Sequence, residues 1–206
     1  MGMPDFPEFK QCNRLELVAQ SGQLDDQPRI DSLLETLSIS DSIKFDVQGC
    51  HLNIDKIVHL NDVKIEHATR WMCPQDLLKF TSKRLNIKFH DFDDIHVNEF
   101  IRQWINDEDP KLEMLPLGAD RHWDAGVIIS SCNAEKYDAE RRDAVFNGID
   151  MTAAVDIERQ DGKLASVLIT DDKLIMVVWK ERFAAKKNQM KRRFESDGPS
   201  AKRSRI

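Results

Sequence analysis

The sequence predicts an α/β fold of helix–strand units resembling a short leucine-rich-repeat-like curved sheet, closed by a three-stranded antiparallel meander. Three observations predict it. Apolar positions alternate between helical and strand spacing along the first two-thirds of the chain. Matching positions recur at a 27-residue offset, in the triplets Val58, Leu85, Leu112 and Leu60, Ile87, Met114, which lies within the period range of strand-plus-helix repeats. The last third holds three short strand patterns separated by turn residues.

The elements follow in order. Residues 1–28 form a poorly defined segment in which Arg14 to Val18 reads as a short strand and Ser21 to Pro28 as a loop. Residues 29–179 read as one α/β domain. It opens with a helix carrying Ile30, Leu33, Leu34 and Leu37, followed by a strand with Ile43, Phe45 and Val47 on one side and closed by Gly49. Pro74 opens a short helix with Leu77, Leu78 and Phe80, and a strand over 85–89 follows. Asp94 is the predicted N-cap of a helix burying Val97, Phe100, Ile101, Trp104 and Ile105. Pro110 ends that helix, and 112–115 resumes as a strand.

Beyond it, Ala134 to Phe146 reads as a charged helix with Tyr137, Val145 and Phe146 inward. Three strands are then expected at 155–159, 164–170 and 174–179, with Asp161-Gly162 as the first hairpin turn and Asp171-Asp172 as the second. The final strand is apolar on both sides, so it is expected in the middle of the sheet.

Composition narrows the function classes. Of 206 residues, 41% are hydrophobic and 32% charged, a balance that favours a folded domain over disorder. The longest apolar run, Leu174 to Trp179, is six residues, against about 20 for a helical membrane span. The first eleven residues lack the apolar core of a signal peptide. Four cysteines at 12, 50, 73 and 132 follow neither a disulfide nor a zinc spacing, which suits an intracellular protein, nuclear or cytoplasmic.

Charge is uneven. The stretch 180–206 carries +7, so the rest carries −13 of the overall −6. An acidic body repels phosphate backbones and is not expected to bind nucleic acid. In the basic tail, Lys186, Lys187, Lys191, Arg192 and Arg193 form one cluster and Lys202, Arg203 and Arg205 a second, separated by a Ser-Asp-Gly-Pro-Ser spacer. That arrangement fits a two-part nuclear address, and a solvated terminal helix or a basic amphipathic helix fits it too.

The run IRQWINDEDPKLEMLPL after Phe100 resembles the F-box-associated type 2 domain of nematode F-box proteins. The runs from Phe146 to Asp150 and from Val155 to Ala165, with Val177-Val178-Trp179, are similar to what closes that domain. The resemblance extends over roughly 97–179, with a looser echo to about 43. Where the family has Gly after its Trp-Ile, this chain has Asp107. The resemblance implies the target-recognising part of an F-box-type ubiquitin-ligase adaptor. No F-box is recognisable in the first thirty residues, so direct binding of the ligase's adaptor subunit is not expected.

No catalytic or metal site is expected, and no cofactor. His122-Trp123-Asp124 with Ser131-Cys132 has the residue types of a triad but no motif context. The acids at 91–94 fail as a calcium loop, because the glycine position is His96 and the glutamate position is Arg102. His and Cys spacings set no pair of zinc ligands on one face. Binding of an unknown protein target remains, with Trp71 and Trp123, set in polar stretches, as the candidate anchors. The alternative for each ring is a plug in the core beneath its loop. A non-catalytic nuclear scaffold and an enzyme of unknown type are the competing functions.

Overall fold

The computed structural model describes residues 10–18, 27–67, 71–88, 90–118 and 120–180. The tail residues proposed as a nuclear address, Lys186 to Arg205, lie outside the described residues. Strand β1 (Gln11–Val18) is followed by α1 (Gln27–Thr36), β2 (Ser38–Asp46), a 3-10 turn (Ile54–Lys56) and β3 (Asp62–Ile65). Then come α2 (Pro74–Leu77), β4 (Arg84–Lys88), α3 (Asp94–Asn106) and β5 (Met114–Gly118). The remainder is α4 (Ala125–Ile128), β6 (Glu135–Lys136), β7 (Val145–Phe146), β8 (Ile149–Asp150), β9 (Val155–Glu158), β10 (Leu164–Ile169) and β11 (Lys173–Trp179).

Among the described residues one sheet of nine strands runs β1-β2-β3-β4-β5-β11-β10-β9-β6, and β7 pairs with β8 separately. The pairings from β1 to β5 are parallel. Those from β5 through β11, β10 and β9 to β6 are antiparallel. Parallel neighbours need a crossover, and α2 and α3 supply the last two.

Alternation decides the faces. Ile43, Phe45, Val63, Ile65, Leu85, Ile87, Leu115 and Leu117 share one side with Leu174 and Met176, and join the buried residues of α1 and α3 in one core. A smaller cluster on the other side of the sheet gathers Met151, Ala154 and Val177, with Met114, Phe146, Leu168, Ile175 and Trp179 packed against it.

Four expectations are corrected. The 27-residue offset is not the strand register, because Val63 pairs with Ile43, Leu85 with Val63, and Met114 with Arg84. Successive strands are therefore offset by 20, 22 and 30 residues. The crossovers differ in length because α3 has 13 residues and α2 only four. Val58 and Leu112 fall outside the strands. The stretch 134–146 forms no helix: its acids and bases pair across turns, with Arg141 bridging Glu135 and Glu158. The cap of α3 is Asp93, whose carboxylate accepts from His96 N at 3.0 Å. Asp94 enters the first turn and faces Arg121 instead. The strand after Pro110 starts at Met114, two residues later than expected.

Candidate functional site

The connection from α3 to β5 builds a pocket together with the loop that precedes β4. Helix α3 buries Val97, Phe100, Ile101 and Trp104 on one face, which fixes where its last turn ends. Gln103 Nε2 donates to Leu78 O at 2.9 Å, tying that turn to the residues after α2. Asp107 N bonds Gln103 O, and the Asp107 carboxylate accepts from Asp109 N at 3.1 Å, so the chain reverses through an Asx turn before Pro110. Asp107 has φ −66° and ψ 136°. That is ordinary extended backbone, which aspartate adopts at no conformational cost.

Arg159, after β9, locks the turn from below. Its guanidinium donates to the carbonyls of Trp104 and Asp107 and to the Asp161 carboxylate, and lies 5.3 Å from the Trp104 ring centroid. The bond from Arg159 holds the Asp161 carboxyl below the ordinary aspartate range. Above this support, a pocket of about 210 Å³ is walled by Phe80, Ser82, Leu85, Phe100, Trp104 and Leu112. Asp107, Asp109 and Lys111 stand at its rim. Ser82 Oγ and Trp104 Nε1 are buried in its lining without a hydrogen-bond partner among the described residues.

The two predicted anchors behave differently. Trp123 is 2% exposed, with Arg121 stacked 4.2 Å over its ring and His90 5.7 Å away. It plugs the core beneath its loop and leaves no face for a partner. Trp71 is half-buried against the core, its ring 6.1 Å from that of His51. The structure does not bring the two rings together. Sequence reading missed the pocket around Trp104; the signal was the acidic Asp107-Glu108-Asp109 turn ahead of Pro110.

The triad residue types do not converge. His122 Nδ1 faces Asp171 at 3.4 Å, whereas the Cys132 thiol is buried against Asn98 and Ser130, and burial pushes its pKa up. Asp124 caps α4 by accepting from Val127 N. In the 90–94 stretch, His90 is buried and stacked on Phe92, its Nδ1 accepting from Phe92 N. Burial, then the nearby Arg121, lowers its pKa to about 4. Asp94 pairs with Arg121 at 2.9 Å. Among the described residues no three His, Cys, Asp or Glu side chains are grouped to hold a metal ion. No helix there is long and apolar enough to cross a membrane.

Comparison with known proteins places the pocket in context. The family described as F-box associated matches residues 51–117, which contain all the pocket's lining residues. The match takes in the Phe100–Leu117 run, whereas the 146–179 runs read as the domain's close lie beyond it. The chain is 30% identical over 147 residues to the uncharacterized protein F59B2.8 of Caenorhabditis elegans, covering 63% of this chain and 33% of that protein. It is 25% identical over 135 residues to the uncharacterized protein F59B2.9 of the same organism, covering 58% and 31%. The chain thus spans about a third of the length of these relatives. No solved structure matches it. Over residues 51–117 the chain is similar to the F-box-associated family, the family that the Phe100–Leu117 run resembles.

Proposed function

We propose that this chain recognises a protein target, as the target-binding part of an F-box-type ubiquitin-ligase adaptor, and catalyses no reaction. One observation supports the reading: the pocket formed by the α2–β4 and α3–β5 connections lies wholly inside the family-matched segment. A photo-crosslinker placed at Lys111, on the rim, tests it against one at Lys136, an exposed residue of β6 outside that segment. The reading expects a protein captured saturably at Lys111 and displaced by unlabelled chain. Equal labelling at both positions would count against it. The chain alone is expected not to bind the ligase's adaptor subunit, and a 1:1 complex on size exclusion would overturn that expectation.

The basic clusters of the tail favour a second reading, in which the same module works in the nucleus without a ligase link. Fusing residues 186–206 to a large reporter tests it. A cytoplasmic reporter, with the full chain's distribution unchanged by Lys191, Arg192, Lys202 and Arg203 to Ala, would rule it out.

A further inference from the structure

The nine-stranded sheet ends differently at its two edges. At one edge β6 spans two residues, too short to template a further strand. At the other, β1 spans eight residues and, among the described residues, pairs only with β2. Long open edges are often blunted by lysines, whose like charges repel a second strand. Strand β1 instead carries one charge of each sign. Arg14 and Glu16 lie two residues apart on one face, with side chains 67% and 43% exposed. They pair with each other along the strand, an exposed contact that contributes little. Between them Leu15 turns to the opposite face, half-buried at the end of the apolar row Leu15, Ile43, Val63, Leu85.

We propose that β1 pairs antiparallel with β1 of a second copy of this chain, about a twofold axis at Leu15. The charges choose both the partner and the register. In one continuous sheet with a twofold axis perpendicular to it, directly opposed residues share a face, so the axis passes through a residue and its own copy. An axis at Arg14 opposes two arginines, and an axis at Glu16 opposes two glutamates. Only the axis at Leu15 sets Arg14 of each copy against Glu16 of the other. Opposite charges directly across a strand pair are favourable, and like charges are not. Glu16 already faces Lys44 of β2, so the pairing places each Glu16 between two cations. On the other face the two Leu15 side chains meet, and the apolar row continues from one copy into the next. The register shift between Cys12 and Arg14 confines regular pairing to the second half of β1. The surface buried is therefore small, and the dimer is of the weak kind that forms as concentration rises. This pairing does not rest on the target-recognition reading.

The test is sedimentation velocity of the full chain across a concentration series, where a monomer–dimer equilibrium is expected. Arg14→Glu and Glu16→Arg each create two like-charge pairs across the axis and should weaken the dimer about tenfold or more. Both side chains are exposed, so each variant should keep the melting midpoint of the unaltered chain. The two changes in one chain restore opposite charges across the axis and should recover the dimer in large part. Mixing the two single variants is the decisive arm. One then carries two acids and the other two bases at positions 14 and 16, so they should form a heterodimer where neither forms a homodimer. That result also shows that both variants are folded. A chain that stays monomeric throughout the series overturns the proposal, and so does a dimer indifferent to the single changes. Single variants that fail to pair when mixed overturn it as well, because the charges would then not face each other across the axis.

Discussion

The parallel and antiparallel halves of the sheet are covered differently. From β2 to β4 the outer face presents Lys44, Asp62, Lys64, Arg84 and Lys88, and among the described residues only the inner face is packed by helices. In β10 the first four residues are all buried, and in β11 Leu174, Met176, Val177 and Val178 are. The second face is covered there by the segment that includes β7, β8 and Met151. Beneath that cover lies a polar network. The Arg142 guanidinium is fully buried and its Nε donates to both oxygens of Asp156 at 2.8 and 3.0 Å. Ser166 Oγ donates to Asp156, Trp179 Nε1 donates to Ser166, and Arg142 stacks 4.5 Å from the Tyr137 ring. A face covered on both sides can hold a charge only if every partner is inside. An open face needs no such arrangement, because water completes it.

The largest expected effect follows from that contrast. Asp156→Ala strands a buried guanidinium and should cost about 3–5 kcal/mol in denaturant melts. Replacing Arg142, Asp156 and Ser166 together by apolar residues of similar size should cost markedly less, since no charge is then left unpaired. A triple variant as unstable as the single one would break the account.

Trp104→Ala tests the parallel half at its largest buried ring on α3. The ring is 4% exposed and supports the pocket, so truncation should cost about 3–5 kcal/mol. Trp71→Ala should cost roughly half of that or less, because part of its ring already faces water. Equal losses at the two sites would erase the distinction between them.

How much of this was legible in the sequence depends on periodicity. The strand at 43–47, α3 and the Asp161-Gly162 turn were readable because their apolar spacing or turn chemistry is local; Gly162 indeed has φ +88°. The 134–146 stretch was not, because its charges look like the exposed side of a helix. In fact they serve partners up to 17 residues away, Arg142 reaching Met151 O and Arg141 reaching Glu158. Trp123 misled for a similar reason: its polar sequence neighbours say nothing of His90, which approaches it from another segment. The pocket was hidden because its two walls are some twenty residues apart in the chain, at Phe80–Leu85 and Phe100–Leu112.

His90 gives the intermediate effect. Its folded pKa of about 4 lies below the ordinary value of 6.5. Below pH 6.5 the unfolded chain takes up a proton that the folded one refuses. Stability therefore falls as pH drops from 6.5 and levels off near 4, a loss of about 3 kcal/mol. His90→Asn, which keeps an acceptor for Phe92 N, should flatten melting midpoints across that window. Asp76 and Asp94, held below their ordinary range despite burial, by bonds from Lys79 and Arg121 respectively, lose their contributions only at lower pH. The two regimes are thus separable. An unchanged pH profile in the variant would show that His90 is not the titrating group.

The smallest effect is expected on the open face, and it is the sharpest check on the contrast between the halves. Arg84 and Asp62 pair at 3.0 Å across β4 and β3, with side chains 55% and 35% exposed. The geometry resembles that of Arg142 and Asp156, and only the surroundings differ. Water solvates both partners when the pair is broken, and salt screens them when it is made. Arg84→Ala should therefore cost no more than about 1 kcal/mol, and the cost should shrink as salt is raised. Asp156→Ala, by contrast, should be nearly insensitive to salt, because ions do not reach a fully buried pair. A loss at Arg84 as large as that at Asp156 would mean that the outer face of β2 to β4 is covered in the working protein, and the partner that covers it would then have to be sought there.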